Sequence, residues 1–132
     1  RIRRNATAGL LLNAGGALLD RVVITETRPA DLSDVDSADV PNVFADGMVL
    51  EYADVVARRC VISDHPRSGA LVSKHGSLLL ERSVVSGNNW GIVTQNGGEA
   101  ATDGVALWDN FQGNRVSDVA LAVPKPPQVV AP

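Results

Sequence analysis

The sequence predicts an all-β fold: a parallel β-helix, or solenoid, of about four rungs with three short strands in each. Two observations predict it. Similar segments recur at a spacing of 22 residues, and within each segment apolar residues alternate with other residues along the chain. Alternation is the period of a β-strand, whereas a helix would place apolar residues three and four positions apart. The chain has 132 residues, of which 45% are apolar and 20% charged, so its size and composition suit one domain.

Four glycines mark the start of the repeated segments, and a short apolar run follows each. They are Gly9, Gly47, Gly69 and Gly91. The last two intervals are both 22 residues, and the first interval of 38 residues contains an extra 16. In the first rung we predict strands at residues 10–12, 17–19 and 22–24, with a bend after the second strand, where the apolar spacing changes from two to three. Each strand is expected to pair in parallel with its equivalent one rung away.

Stacking of the rungs requires that equivalent inward positions be apolar or small, and the sequence meets this requirement. Ladders of leucine, isoleucine and valine fill such a core with few aromatic side chains, which make up 4% of the chain. Cys60 occupies one of these positions and is expected to be a small buried apolar residue. The predicted inward ladders are Leu10, Met48, Ala70 and Ile92; Leu12, Leu50, Val72 and Thr94; Leu19, Ala57, Leu80 and Thr102; Val22, Cys60, Ser83 and Val105; and Ile24, Ile62, Val85 and Leu107.

The glycine-led apolar start, the strand–bend–strand body and the 22-residue period resemble the right-handed parallel β-helix repeats of the pectin-lyase-like superfamily. The run Leu-Glu-Arg-Ser-Val-Val-Ser-Gly-Asn at residues 80–88 is similar to the repeat arrays of bacterial secreted and surface proteins. The likeness covers about residues 2–119. It implies a right-handed coil and an extracellular or cell-surface location. It does not select a function, because the superfamily includes polysaccharide lyases, hydrolases, epimerases, adhesins and inert stalks.

We expect three regions along the chain: the β-helix over residues 1–121, a loop insertion at about residues 28–46, and a proline-rich tail over residues 122–132. The first rung would leave apolar side chains with no rung beneath them. We therefore hypothesise that the chain is the C-terminal part of a longer solenoid, and that it self-associates at this open N-terminal rung. The insertion holds aspartates at positions 31, 34, 36 and 39, which form a solvated acidic loop or, alternatively, a calcium site.

The outward side of the first strands carries the candidate site. Its central column is apolar, which indicates either a contact surface for a polysaccharide or another protein, or a surface that the insertion covers. Cleavage of a glycosidic bond, or proton removal beside a uronate, needs paired carboxylates or a carboxylate with a cation, and these strands offer one carboxylate, Glu51. We therefore predict no catalytic residue, no metal site and no cofactor. The candidate ligand-binding residues are Glu51, Gln95 and Trp90. The apolar column consists of Leu11, Val49, Leu71 and Val93.

Turn positions repeat as well. Asn88 and Asn110 are equivalent residues one period apart and are expected to form a side-chain ladder along the coil. His65 and His75 lie in turns of neighbouring rungs, and two histidines without a third ligand do not make a metal site.

Charge and hydropathy exclude two classes of partner. The formal net charge is −3 and the pI about 5.2, without the basic stripe that is typical of nucleic-acid-binding domains. No apolar run reaches the ~18 residues that a membrane span needs.

Two functions remain open. The favoured one is a non-catalytic segment of a secreted or surface β-helix, acting as a structural stalk, an adhesin-like module or a carbohydrate-contacting scaffold. The alternative is the distal part of a polysaccharide lyase or hydrolase whose catalytic rungs lie upstream of Arg1. An upstream cluster of Asp, Lys or Arg at outward first-strand positions would favour the enzyme.

Overall fold

The computed structural model describes residues 1–28, 44–117 and 119–124. In this part of the chain the secondary structure is entirely β. Accessibility alternates along the strands Gly15–Asp20, Ala53–Arg58 and Glu99–Asp103, because successive side chains of a strand point to opposite faces. The strands are β1 (Ile2–Arg3), β2 (Thr7–Leu12), β3 (Gly15–Asp20), β4 (Val23–Thr25), β5 (Ala45–Glu51), β6 (Ala53–Arg58), β7 (Val61–Ser63), β8 (Ser68–Ser73), β9 (Ser77–Glu81), β10 (Val84–Ser86), β11 (Trp90–Thr94), β12 (Glu99–Asp103), β13 (Ala106–Trp108) and β14 (Gly113–Ser117).

The strands form three parallel sheets, and each complete rung contributes one strand to each sheet. Sheet 1 has the order β2-β5-β8-β11-β14, sheet 2 the order β3-β6-β9-β12, and sheet 3 the order β1-β4-β7-β10-β13. Each strand pairs in parallel with its equivalent one rung away. This is the coil of stacked rungs that the 22-residue repeat predicts. The predicted strands of the first rung correspond to β2, β3 and β4.

The predicted inward ladders form the core of the coil. Leu80 lies opposite Ala57, and Leu50 lies opposite Val72. Neighbouring strands are ~4.8 Å apart, so stacked inward side chains contact each other and exclude water. All four residues are completely buried, and Cys60 is buried in the same cluster, as predicted.

A bend with left-handed backbone separates the second and third strands of each rung. The residue at the bend has a φ of 57° in Arg21, 53° in Arg59, 49° in Arg82 and 62° in Gly104. Its N–H continues the ladder between rungs, as where Arg59 N–H donates to the Glu81 carbonyl at 2.9 Å. This bond offsets the cost of left-handed geometry for a non-glycine residue, roughly 1–2 kcal/mol. The bend accounts for the three-residue step in the apolar pattern.

A ladder of buried polar side chains lies at the corner between sheets 3 and 1. Asn88 Nδ2 donates to Asn110 Oδ1 at 2.9 Å, which confirms the predicted asparagine ladder. His65 extends it, since its backbone N–H donates to Asn88 Oδ1 at 3.0 Å. The His65 ring is buried: its Nδ1 accepts from Thr27 N–H at 3.3 Å, and its Nε2 lies 3.0 Å from the Ile24 carbonyl oxygen. These partners assign a neutral imidazole with its proton on Nε2.

The stability of the fold is expected to decrease below about pH 6.5 because of His65. Burial lowers the pKa of His65 from 6.5 to about 4, against the opposing effects of the Ile24 carbonyl and the Asp64 charge. On acidification the unfolded chain takes up this proton first, so the contribution is complete above pH 6.5 and is lost as the pH falls toward 4. The full loss amounts to about 3 kcal/mol.

Urea unfolding near neutral pH and at about pH 4.5 measures this loss. The matched variant is His65→Asn, because asparagine occupies the equivalent position in the next two rungs and carries no titratable proton. The wild-type chain should lose more stability than the variant over the same pH interval. Equal losses in the two proteins would contradict the assignment.

The two ends of the coil differ. At the N-terminal end Leu10 and Leu19 are only half-buried, because no described strand lies beneath β2 and β3. At the C-terminal end Arg115 takes the inward position next to Ile92, and its guanidinium donates to the Ala100 carbonyl on the edge strand β12. The self-association predicted for the open N-terminal rung stays a prediction.

The structure refines the predicted boundaries. Strand β5 begins at Ala45, inside the predicted insertion of residues 28–46. The four aspartates of the proposed acidic loop, and with them the calcium question, lie outside the described residues. The last partial rung is β14, after which residues 119–124 leave the coil; we call these residues the strap. Of the predicted tail, residues 125–132 lie outside the described residues.

Candidate functional site

The outward face of sheet 1 is the predicted site. The register places Leu11, Val49, Leu71 and Val93 in one column, one residue per strand. The last three are completely buried, although they point away from the core of the coil. A second apolar cluster therefore lies on this face, separate from the core.

The strap covers this column. Leu121 is 5% exposed and packs against the column, while Val119 and Val123 on either side pack against the same cluster. Full burial of a leucine side chain contributes about 1.5–3 kcal/mol, which helps to hold the strap in place. The contact surface that the sequence predicts for a polysaccharide or another protein is therefore filled by the chain itself. The alternative, cover by the insertion, concerns mainly residues 29–43, which lie outside the described residues.

Gln95, a predicted ligand-binding residue, binds the strap. Its Oε1 accepts from Leu121 N–H at 2.9 Å, and its Nε2 donates to the Leu121 carbonyl at 2.7 Å. Arg67 Nη1 adds a bond to the Ala122 carbonyl at 2.7 Å. Leu121 N–H also lies 3.1 Å from the Val119 carbonyl oxygen, which closes a three-residue turn. Both polar atoms of the Gln95 side chain are thus bonded within the chain.

A completely buried ion pair lies beside the strap. Arg67 Nε and Nη2 donate to the two carboxylate oxygens of Asp46 at 2.9 and 2.5 Å, and neither side chain is exposed. Ser68 donates to the same carboxylate through its hydroxyl at 2.5 Å and its N–H at 3.2 Å. The guanidinium carbon lies 5.2 Å from the centre of the Phe44 ring. Burial raises the pKa of Asp46, and the bonds from Arg67 and Ser68 oppose that rise.

Glu51, the one carboxylate predicted for this site, is 3% exposed and is held from two sides. Asn13 Nδ2 donates to its Oε2 at 2.9 Å, and Lys74 Nζ lies 2.9 Å from its Oε1. The hydrogen bond and the charge of Glu51 raise the pKa of Lys74. Sequence reasoning missed this cation because Lys74 lies in the turn after β8. The available signal was the position of Lys74 directly after Ser73, the residue that lies opposite Glu51 on the next rung.

The three predicted ligand-binding residues do not meet at one point. Trp90 opens β11 and is half-buried at the edge of the second apolar cluster. Gln95 follows the other end of that strand, five residues or about 16 Å away. Glu51 and Gln95 lie two rungs apart, which corresponds to about 10 Å. The three side chains therefore do not surround one ligand.

An open groove of about 570 Å³ lies along strands β6, β9 and β12 of sheet 2. Its apolar floor combines the outward residues Val56, Leu79 and Ala101 with residues of the core side, Val55, Leu78 and Ala100. The outward column continues to Leu18, which is 65% exposed. Sequence reasoning missed this groove because outward residues of the second strands look like ordinary solvent-facing positions. The apolar residue that recurs at the centre of each strand was the available signal. The polar lining residues are Asp54, Ser77, Thr94, Glu99, Arg115 and Ser117.

Among the described residues, no group of three or more His, Cys, Asp or Glu side chains could hold a metal ion. In the same ranges no helix is long and apolar enough to cross a bilayer. No protein-family model, no curated protein and no solved structure matches the chain.

Proposed function

We propose that the chain is a non-catalytic segment of a secreted or surface β-helix, with a structural role as a stalk or an adhesin-like scaffold. The closed outward face of sheet 1 carries this proposal. The strap fills its apolar column, and its polar side chains bond within the chain. Such contacts join one rung to the next, or the coil to the strap, and so stabilise the solenoid.

The placement of the acidic groups supports the same proposal. A general acid or base must come within about 3 Å of the atom that gains or loses a proton. Glu51 is almost inaccessible, and its two oxygens face Asn13 and Lys74. Asp46 is inaccessible and is bound to Arg67. These carboxylates are arranged as structural groups.

A carbohydrate-contacting role would use the groove on sheet 2. Its apolar floor and polar rim suit a sugar chain, which presents C–H faces and hydroxyl edges. The floor residues repeat every ~4.8 Å along the coil, so the surface fits an extended polymer better than a compact ligand.

The proposal predicts that the purified chain does not cleave polysaccharides. Pectin, polygalacturonate, alginate and a neutral glycan are incubated with the wild-type chain and with Glu51→Gln, with and without calcium, and product release is followed. Turnover by the wild-type chain that disappears in Glu51→Gln would contradict a structural role for this face. Binding without turnover, weakened by Leu79→Lys, would place the carbohydrate contact in the sheet 2 groove.

A further inference from the structure

The strap docks on sheet 1 as a bound peptide docks on a receptor. Its side chains alternate: Val119, Leu121 and Val123 pack against the second apolar cluster, whereas Ala120 and Ala122 are exposed. Alternate side chains of the strap thus share one face, which packs on the sheet, and the strap begins with the three-residue turn at Val119–Leu121.

Two coil residues recognise the backbone of the strap. Gln95 bonds to both the N–H and the carbonyl of Leu121, and Arg67 bonds to the carbonyl of Ala122. Backbone contacts of this kind give affinity, while the pocket for the alternate side chain gives specificity. Here that pocket is the apolar column, which takes up Leu121.

Residues outside the strap position most of this receptor. Arg67 is fixed by the Asp46 carboxylate, one rung away, and by the ring of Phe44. Gln95 follows β11, and its own N–H donates to the Val72 carbonyl at 3.0 Å. The apolar column is set by the register of sheet 1. The Arg67 guanidinium and the apolar column are therefore positioned by coil residues, whereas the side chain of Gln95 bonds to the strap alone in the described structure.

We propose that this face of sheet 1 is a recognition site for an extended segment with apolar residues at alternate positions, and that its occupant in trans is the strap of a second copy of the chain. Every contact that the strap makes in cis can be made by an identical strap from another copy. In cis the strap has an effective concentration of the order of mM, so the wild-type chain keeps its own strap at micromolar concentration. Binding of the strap of one copy to the site of another becomes measurable when a substitution weakens the contacts of one strap in cis.

A receptor with a weakened strap tests the recognition site. The full-length variant Leu121→Asp is titrated into a fluorescein-labelled peptide of residues 117–124, and anisotropy is measured. We expect saturable binding of the wild-type peptide to this variant. The Leu121→Asp peptide should bind the variant at least tenfold more weakly. The wild-type peptide should also bind at least tenfold more weakly to the wild-type chain, because the chain's own strap fills the site. No binding to a Leu121→Asp chain with a native circular dichroism spectrum would overturn the proposal. If this variant does not fold, Leu121→Ala serves as the receptor.

Gln95 provides the matched control. Adding Gln95→Ala to the Leu121→Asp receptor removes both bonds to the Leu121 backbone and should weaken peptide binding about tenfold or more. Gln112→Ala, at an exposed position outside the site, should leave it unchanged. Equal affinities of the two double variants would overturn the role of Gln95 in recognition.

The second copy as occupant is tested by mixing two full-length variants. Gln95→Ala holds its own intact strap weakly, and Leu121→Asp offers an intact site. Sedimentation of the mixture should show one-to-one association of the two variants beyond any association that either variant shows alone. Monomers alone, at concentrations where the labelled peptide saturates Leu121→Asp, would overturn the second copy as occupant.

Discussion

Replacing Arg67 with methionine is expected to lower the free energy of unfolding by about 3–5 kcal/mol. Methionine fills much of the volume of the arginine stem, so the loss comes mainly from the charge. Asp46 would stay completely buried with only the hydrogen bonds from Ser68, and the carbonyl of Ala122 would lose its donor. Urea unfolding at neutral pH measures the change.

Two controls distinguish the cost of a buried, unpaired charge from the loss of an ion pair as such. The double variant Arg67→Met/Asp46→Leu removes both buried charges and should recover most of the lost stability, because an apolar pair can replace a buried ion pair at little cost. Arg59→Met breaks the exposed pair with Asp20 and should cost less than about 1 kcal/mol. A loss in Arg67→Met no larger than that in Arg59→Met would contradict the structural role of the buried pair.

Leu80→Asp is expected to unfold the chain. Leu80 is completely buried between Ala57 and Thr102 of the neighbouring rungs, so a carboxylate there would lose its hydration. The lost apolar burial and the buried polar group together cost more than about 4 kcal/mol, a large part of the stability of a small domain. Circular dichroism and thermal melting should show loss of the native β signal and of the cooperative transition.

The neighbouring residue is the matched control. Leu79 lies one position earlier in the same strand and points outward into the sheet 2 groove, where it is half-buried. Leu79→Asp should therefore keep the native spectrum and melt cooperatively. A native spectrum for Leu80→Asp, or unfolding of both variants alike, would contradict the register.

The fold could be predicted from the sequence because a solenoid applies the same requirement to every rung. Equivalent inward residues such as Leu50 and Val72 must all be apolar, so the pattern repeats and the period can be read directly. The left-handed bends leave a trace as well, since they shift the phase of the alternation once per rung.

The closure of the site could not be predicted in the same way. Leu121 lies 26 residues from Gln95, outside any repeat, so no periodicity connects the two. The apolar outward column predicts that another segment covers it but does not identify that segment. Arg67 stands in a turn, where an arginine is normally exposed, and only the fold shows that Asp46 lies within reach of it.

Nuclear Overhauser effects between methyl groups test the closure of the sheet 1 face most directly. In a chain with labelled methyl groups, the methyls of Leu121 should show effects to those of Val49, Leu71 and Val93, because these side chains form one packed cluster. The Leu121 amide proton, bonded to Gln95 Oε1, should also exchange slowly with solvent. Random-coil shifts for Leu121, without effects to the column and with rapid amide exchange, would contradict the account.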